Sequence, residues 1–350
     1  YAADQTSTGT EIVAVGLSAL ERNTTGSYNT ALGSSALAYN TTASNNTAVG
    51  YQAGYSNTTG VLEAFGAYAL SSNTTGNYCK AFGESALRSN TTGNSNNAFG
   101  GSALRSNTTA SDNSAFGESA LRSNTTGASN TALGSQSLYS NTVASNLTAV
   151  GYQAGYSVNG PANQTFIGYQ AGYSQTVQNN STYIGYKAGY ANLTSDNTYI
   201  GYQAGVSNTK GASNTFVGSG AGNTYNYTAS YIDTYNTFIG AYAGYSATTG
   251  LSNTFVGPSS GYYVSTGSKN TILGGYNGNQ GGLDIRGSSN YIVLSDGDGN
   301  PRLYCDNNGV LFSPTTYSNT SASAANVGIT TTAGIFFRST SALKYKQNIR

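Results

Sequence analysis

The sequence has no histidine, methionine or tryptophan, and only two cysteines and four prolines in 350 residues. Without histidine it lacks the commonest general base and the commonest metal ligand, so an enzyme is not expected, nor any metal or cofactor. Charge is scarce: 14 Lys plus Arg nearly cancel 13 Asp plus Glu, and no basic run exists. Neither nucleic acid nor an anionic membrane surface is therefore an expected partner. No apolar stretch approaches the ~18 residues of a spanning helix, and the opening YAADQTSTGT has no basic and apolar leader, so no membrane insertion is expected. Leu, Ile, Val and Phe total 58 residues, about 17%, too few for an ordinary globular core. A net charge of +1 does not hold the chain open either.

What is present is 46 glycines, 30 tyrosines and abundant Asn, Thr and Ser, a vocabulary of turns and strands. An apolar pair followed by glycine recurs at Gly16, Gly33, Gly50, Gly66, Gly83, Gly100, Gly117, Gly134, Gly151, Gly168, Gly185, Gly201, Gly218, Gly240, Gly257 and Gly274. The steps are 17 residues, except for two of 16 and one of 22. This period suits short strands joined by turns, stacked coil on coil with each strand pairing in parallel with its copy. The expected fold is all-β, a parallel β-roll or β-helix solenoid of ~17-residue coils. In the coil of Gly50, Asn46–Val49 reads as a first strand, Tyr51–Tyr55 as a second and Ser56–Gly60 as a return loop. Cys79 and Cys305 then lie on the order of 60 Å apart, too far for a disulfide.

Before each glycine one column holds Val, Leu, Phe or Ile. The other holds Ala in nine coils, then an aromatic from Phe166 to Phe255. Adjacent strand residues face opposite sides, and a slender coil has one interior, so the second column is expected to meet neighbouring chains. The change from Ala to Phe or Tyr then marks a change in how chains meet; both columns inside one wider core is the alternative. A third column, Ala19, Ala36, Ala53 and onward, is followed by Leu in most early coils and Gly in later ones. Ala98→Asp is expected to impair assembly far more than a change at Asn107, placed in the return loop. The reading divides the chain into 1–151 with the alanine column, 152–275 with the aromatic column, 276–340 as a β-hairpin cap or trimerisation module, and 341–350. Hairpin strands are expected at Tyr291–Leu294, Pro301–Cys305 and Asn308–Phe312, between Asp-Gly and Asn-Gly turns.

Asn-Thr-Ala-Val-Gly and Tyr-Gln-Ala-Gly-Tyr-Ser resemble the head repeats of trimeric autotransporter adhesins and related repeats of phage and marine viral fibres, across residues ~10–275. Ser341-Ala-Leu-Lys-Tyr-Lys-Gln-Asn-Ile349 resembles the opening of the intramolecular chaperone domain of phage tail fibres and endosialidase-type tailspikes. The resemblance implies a homotrimeric fibre on a virion tail, extracellular, contacting other tail proteins and a polysaccharide or protein receptor on the host surface. It also implies self-cleavage by Ser341 with Lys346 five positions later as base, attacking the Thr340 carbonyl. Ala342 and Leu343 depart from the acidic or serine residue often found after that serine. The alternatives are a bacterial trimeric surface adhesin or extracellular filament, expected to carry a membrane-anchoring barrel, and a tailspike enzyme whose catalytic domain lies elsewhere.

Three further signals read as structure. The Asn-x-Ser/Thr sequons at Asn23, Asn40, Asn57, Asn73, Asn90, Asn107 and Asn124 follow the repeat, so turn chemistry accounts for them; others stand at Asn146, Asn163, Asn180, Asn192 and Asn226. Ser295–Asn300 resembles part of a calcium loop without its distal glutamate. Gly218-Ser-Gly220 reads as a corner. Tyr51, Tyr55, Tyr169 and Tyr173 either form ladders along the solenoid or stack on sugars.

Overall fold

A computed structural model describes residues 8–160, 163–176, 179–227 and 231–314, together with the backbone of 327–329 and 336–338. Sixteen short strands, from Val13–Val15 to Thr271–Leu273, pair in parallel in chain order as one continuous sheet. The register follows the sequence period: Thr30 pairs with Thr47 and Ala31 with Ala48. The shorter and longer steps are absorbed without a slip, Thr47 opposite Glu63 and Thr215 opposite Thr237. Within the longest step, Ile232–Asp233 pairs in parallel with Gly211–Ala212 of the coil before it.

Apart from that pair, each coil has one strand rather than two. The run expected as a second strand, Tyr51–Tyr55, is a chain of turns. Gln52 and Gly54 have φ of 53° and 60° with Ala53 between them. This alternation points successive N–H groups in different directions: Gln52 N donates to Ser34 O of the preceding coil, Ala53 N to Gly50 O of its own, and Gly54 N to Ala69 O of the next. Every turn is thereby stitched to both neighbours, which satisfies a backbone that has no ladder partner. The corner glycine is obligatory. Gly50 has φ of 135°, and a Cβ there would lie 2.5 Å from Gly66 O of the next coil.

The core is wholly within one chain, which overturns the assignment of the alanine-to-aromatic column to chain contacts. Ala31, Ala48, Ala98 and Ala149, and after them Phe166, Tyr183, Tyr199, Phe216, Phe238 and Phe255, are all fully buried. The facing third column, Ala36, Ala53, Ala103 and its equivalents, is buried as well. Bulk passes from one wall to the other at residue ~150. Early coils pair a strand alanine with Leu37, Leu87 or Leu121 from the turn run; later coils pair a strand aromatic with Gly172, Gly189 or Gly205. A Cβ on Gly172 would sit 2.3 Å from the Phe166 ring. Gly54, an early exception, is filled by Leu37 and Leu62, whose Cδ2 and Cδ1 would lie 2.9 Å and 3.3 Å from an added Cβ.

Two asparagine ladders close the core on its third side. In the first, each side-chain amide donates to the Oδ1 of the Asn one coil earlier: Asn40 to Asn23 (3.0 Å), Asn107 to Asn90 (2.7 Å) and Asn141 to Asn124 (2.9 Å). In the second, each Oδ1 accepts the next coil's backbone N–H, as Asn29 from Asn46 and Asn113 from Asn130, both at 3.0 Å. Asn107 is therefore a buried core residue and not a loop position.

Beyond Gly274 the sheet continues. Ile292–Ser295 pairs in parallel with Thr271–Leu273, and Pro301–Cys305 and Leu311–Phe312 then add antiparallel strands, the last shorter than the expected Asn308–Phe312. Val327–Ile329 and Phe336–Arg338 form a separate antiparallel pair. Cys79 and Cys305 are both free; Cys79 is buried in the second ladder position, and burial pushes its thiol up. Among the described residues no helix is long and apolar enough to cross a membrane.

Candidate surfaces for attachment

Two long faces flank the corner glycines. On the strand face the outward column is Val15, Leu32, Val49, then Phe65, Phe82, Phe99 and Phe116, then Leu133, Val150, Ile167 and onward to Leu273. The four phenylalanines stack at 4.6 to 4.7 Å with nearly parallel planes. Val15 and Leu133 are about half exposed, and the column forms one apolar stripe along the array. Lys80 and Glu63 pair beside it at 3.5 Å.

On the turn face the first, second and fifth residues after the corner glycine lie outside the core in most coils, with Ala38, Ser71 and Ser85 among the buried exceptions. Tyr152, Tyr169, Tyr186 and Tyr202 stack at 5.2 to 5.4 Å. Tyr139, Tyr156, Tyr173 and Tyr190 stack at 5.0 to 5.1 Å. Between these columns runs an amide ladder, Gln170 donating to Gln153 at 2.8 Å and Gln153 to Gln136 at 2.7 Å. Lys187 continues it, its Nζ 5.2 Å from the Tyr190 ring centroid. Tyr51 and Tyr55 meet Tyr68 and Tyr39 edge-on. The tyrosines form ladders, so in the two stacked columns the ring faces are covered by the next ring, and edges and hydroxyls meet solvent. Desolvation in the stack pushes the Tyr156 hydroxyl above its ordinary value.

The fifth-position column changes character along the array. Ser89 N donates to Arg105 O, Ser106 N to Arg122 O, Ser123 N to Tyr139 O and Ser140 N to Tyr156 O. Arg88, Arg105, Arg122, Tyr139, Tyr156, Tyr173 and Tyr190 thus stand one above another in seven consecutive coils. The second-position column beside them runs Ser85, Ser102, Ser119, then the glutamines.

Of the residues singled out in the sequence, Thr340, Ser341 and Lys346 lie outside the described residues. The sequon residues Asn23, Asn40, Asn57, Asn73, Asn90, Asn107, Asn124 and Asn192 are buried, the first seven as the ladder itself, whereas Asn146, Asn163 and Asn180 are exposed. In Ser295–Asn300, Asp296 accepts from Asn300 N at 2.8 Å and from the Arg302 guanidinium, so its carboxylate closes a turn and is held below its ordinary value by these partners. Gly220 N donates to Tyr202 O at 2.8 Å, as in other corners. A depression of about 260 Å³ beside Ile232–Asp233 is open to solvent, and Asp233 is engaged by Ser213 and Tyr235. Among the described residues no group of three or more His, Cys, Asp or Glu is placed to hold a metal ion.

The arginine column escaped the sequence reading, although its signal was present: Arg88, Arg105 and Arg122 each stand five residues after a corner glycine, whereas Phe65, Phe82, Phe99 and Phe116 belong to the Val, Leu, Phe or Ile column already read from the repeat. Compared with protein families, curated proteins and solved structures, the chain matches none.

Proposed function

We propose that this chain is the shaft of an extracellular fibre on a phage or viral tail, assembled as a homotrimer and used in attachment to the host surface. The observation that carries the reading is the division of labour across each strand. The inner column completes a core within one chain, and the outer column remains as an apolar stripe repeated in every coil from Val15 to Leu273. Such a continuous apolar stripe is the mark of an interaction surface, and a second and third copy with the same period match it rung for rung. The antiparallel strands after Ile292 serve in this reading as the cap that protects the open end of the sheet. Ser341 and Lys346 open the chaperone that aligns the three chains.

The test of function is competition. Purified chain added in excess to virions and host cells is expected to reduce adsorption several-fold, and antibody raised against residues 8–275 is expected to decorate the tail. Full adsorption in the presence of excess folded chain overturns the attachment role.

A further inference from the structure

The arginine row is costly unless something outside the chain meets it. Arg88, Arg105 and Arg122 are fixed in one column by backbone bonds between consecutive coils, so the guanidinium groups repeat at about the 4.8 Å spacing of parallel strands. Like charges stacked directly opposite one another across strands are destabilising. Among the described residues the ion pairs are Lys80–Glu63, Arg286–Asp284 and Arg302–Asp296, none of which involves the row. Glu84 and Glu118 stand in the first-position column and form no ion pair with it. The groups that do touch the row are aromatic: Arg88 lies 4.8 Å from the Tyr68 ring centroid, and Arg122 donates to the Tyr139 hydroxyl. These contacts orient the arginines without neutralising them.

We infer that the turn face from Arg88 to Tyr190 is a linear binding site for an extended acidic polysaccharide, one bearing carboxylate or sulfate groups along its length. The fork of a guanidinium matches a carboxylate or sulfate with two parallel hydrogen bonds. A polyanion bearing one charge per one or two sugars repeats on the scale of one or two coils, roughly 5–10 Å. Past the arginines, the column of tyrosine hydroxyls and the Gln136–Gln153–Gln170 amides offer donors and acceptors to sugar hydroxyls, and Lys187 supplies a further cation at the far end. The serines at 85, 102 and 119 are short, which leaves the arginines standing above a shallow floor. The inference rests on the attachment role and names the chemistry of the receptor.

The test is direct binding of the purified full chain to polygalacturonate, dextran sulfate, neutral dextran and inorganic polyphosphate, at low and raised salt. The two acidic glycans are expected to bind, with affinity falling as salt rises, and neutral dextran is not. Replacing all three arginines by glutamine should lower that affinity at least tenfold without lowering the melting temperature. Replacing them by lysine should keep the salt dependence and lose part of the affinity. Arg286→Gln, at an exposed arginine outside the row, should change nothing. Unchanged binding by the triple glutamine variant, equal binding of polyphosphate, or no binding of either acidic glycan overturns the assignment. Glycan binding by a chain that fails to compete for adsorption leaves the site standing and removes the attachment role.

Discussion

Leu87 and Gly172 occupy the same place in the coil, four residues after the corner glycine, and both have positive φ, 50° and 61°. For leucine this conformation costs about 1–2 kcal/mol, against about 1.5–3 kcal/mol from burying the side chain, so the early coils tolerate a strained residue because it fills the core. The later coils move that volume to the strand and release the strain with glycine. Phe166→Ala should therefore cost about 3–5 kcal/mol by leaving a cavity. Adding Gly172→Leu should recover at least half of the loss in a double-mutant cycle read by chemical denaturation; purely additive effects would contradict the shared volume. Both substitution patterns were visible in the sequence, but the residues were read as facing different neighbours. Periodicity gives the spacing of columns, not which one turns inward, and a core filled alternately from two walls looks like two separate trends.

Tyr183 shows the same volume logic with a penalty. Its ring lies in the buried stack, 5.2 Å from that of Tyr199, and its hydroxyl has no partner. Burial raises the phenol well above its ordinary value of 10.0, and Tyr225 is pushed up to about 12. A folded value above the unfolded one means that this stability is complete below pH 10.0 and drains as pH rises through about 12. Tyr183→Phe, which matches Phe166 and Phe216 in the same column, should raise stability by about 1 kcal/mol and move the alkaline unfolding midpoint upward. An unchanged midpoint in circular dichroism would show that this hydroxyl does not control the transition.

At the scale of the coil, the strand, the glycine corner and the period were legible, because glycine is irreplaceable where the next coil's backbone approaches within 2.5 Å of a Cβ position. The second strand was not. A run such as Tyr-Gln-Ala-Gly-Tyr has strand-like alternation, and only the positive φ of its second and fourth members turns it into a stitch between neighbours. The asparagines were misplaced for a related reason: Asn, Thr and Gly together signal a turn, while a side chain aimed inward to its copy leaves no local trace. Asn107→Ala should cost about 2–3 kcal/mol, since it strands the buried amides of its neighbours Asn90 and Asn124, and Thr109, which is exposed, is the proper silent control. Ala98→Asp should be worse than either, a charge in a sealed core. Thermal melting of the three variants orders them; equal melting of Asn107→Ala and Thr109→Ala would show that the ladder does not stabilise the coils.

At the scale of the molecule, coils so alike specify register weakly, because a shift by one whole coil preserves most contacts between chains. A terminal chaperone removes that degeneracy in the proposed fibre. In a chain extended past residue 350, cleavage between Thr340 and Ser341 is expected in the wild type and not in Ser341→Ala or Lys346→Ala. An intact wild-type chain in a folded assembly would leave Ser341 without a catalytic role. The arginine row and the apolar stripe lie on different faces of the coil, so assembly through one leaves the other free for a receptor. In the proposed fibre, a core complete within one chain leaves the strand face for lengthwise assembly. Light scattering with electron microscopy of the purified chain tests it: the expected particle is a rod of three 35.9 kDa chains, its sixteen coils rising roughly 75 Å at ~4.8 Å each, whereas a monodisperse particle of one chain mass would contradict the assembly, and a compact one would contradict the solenoid as well.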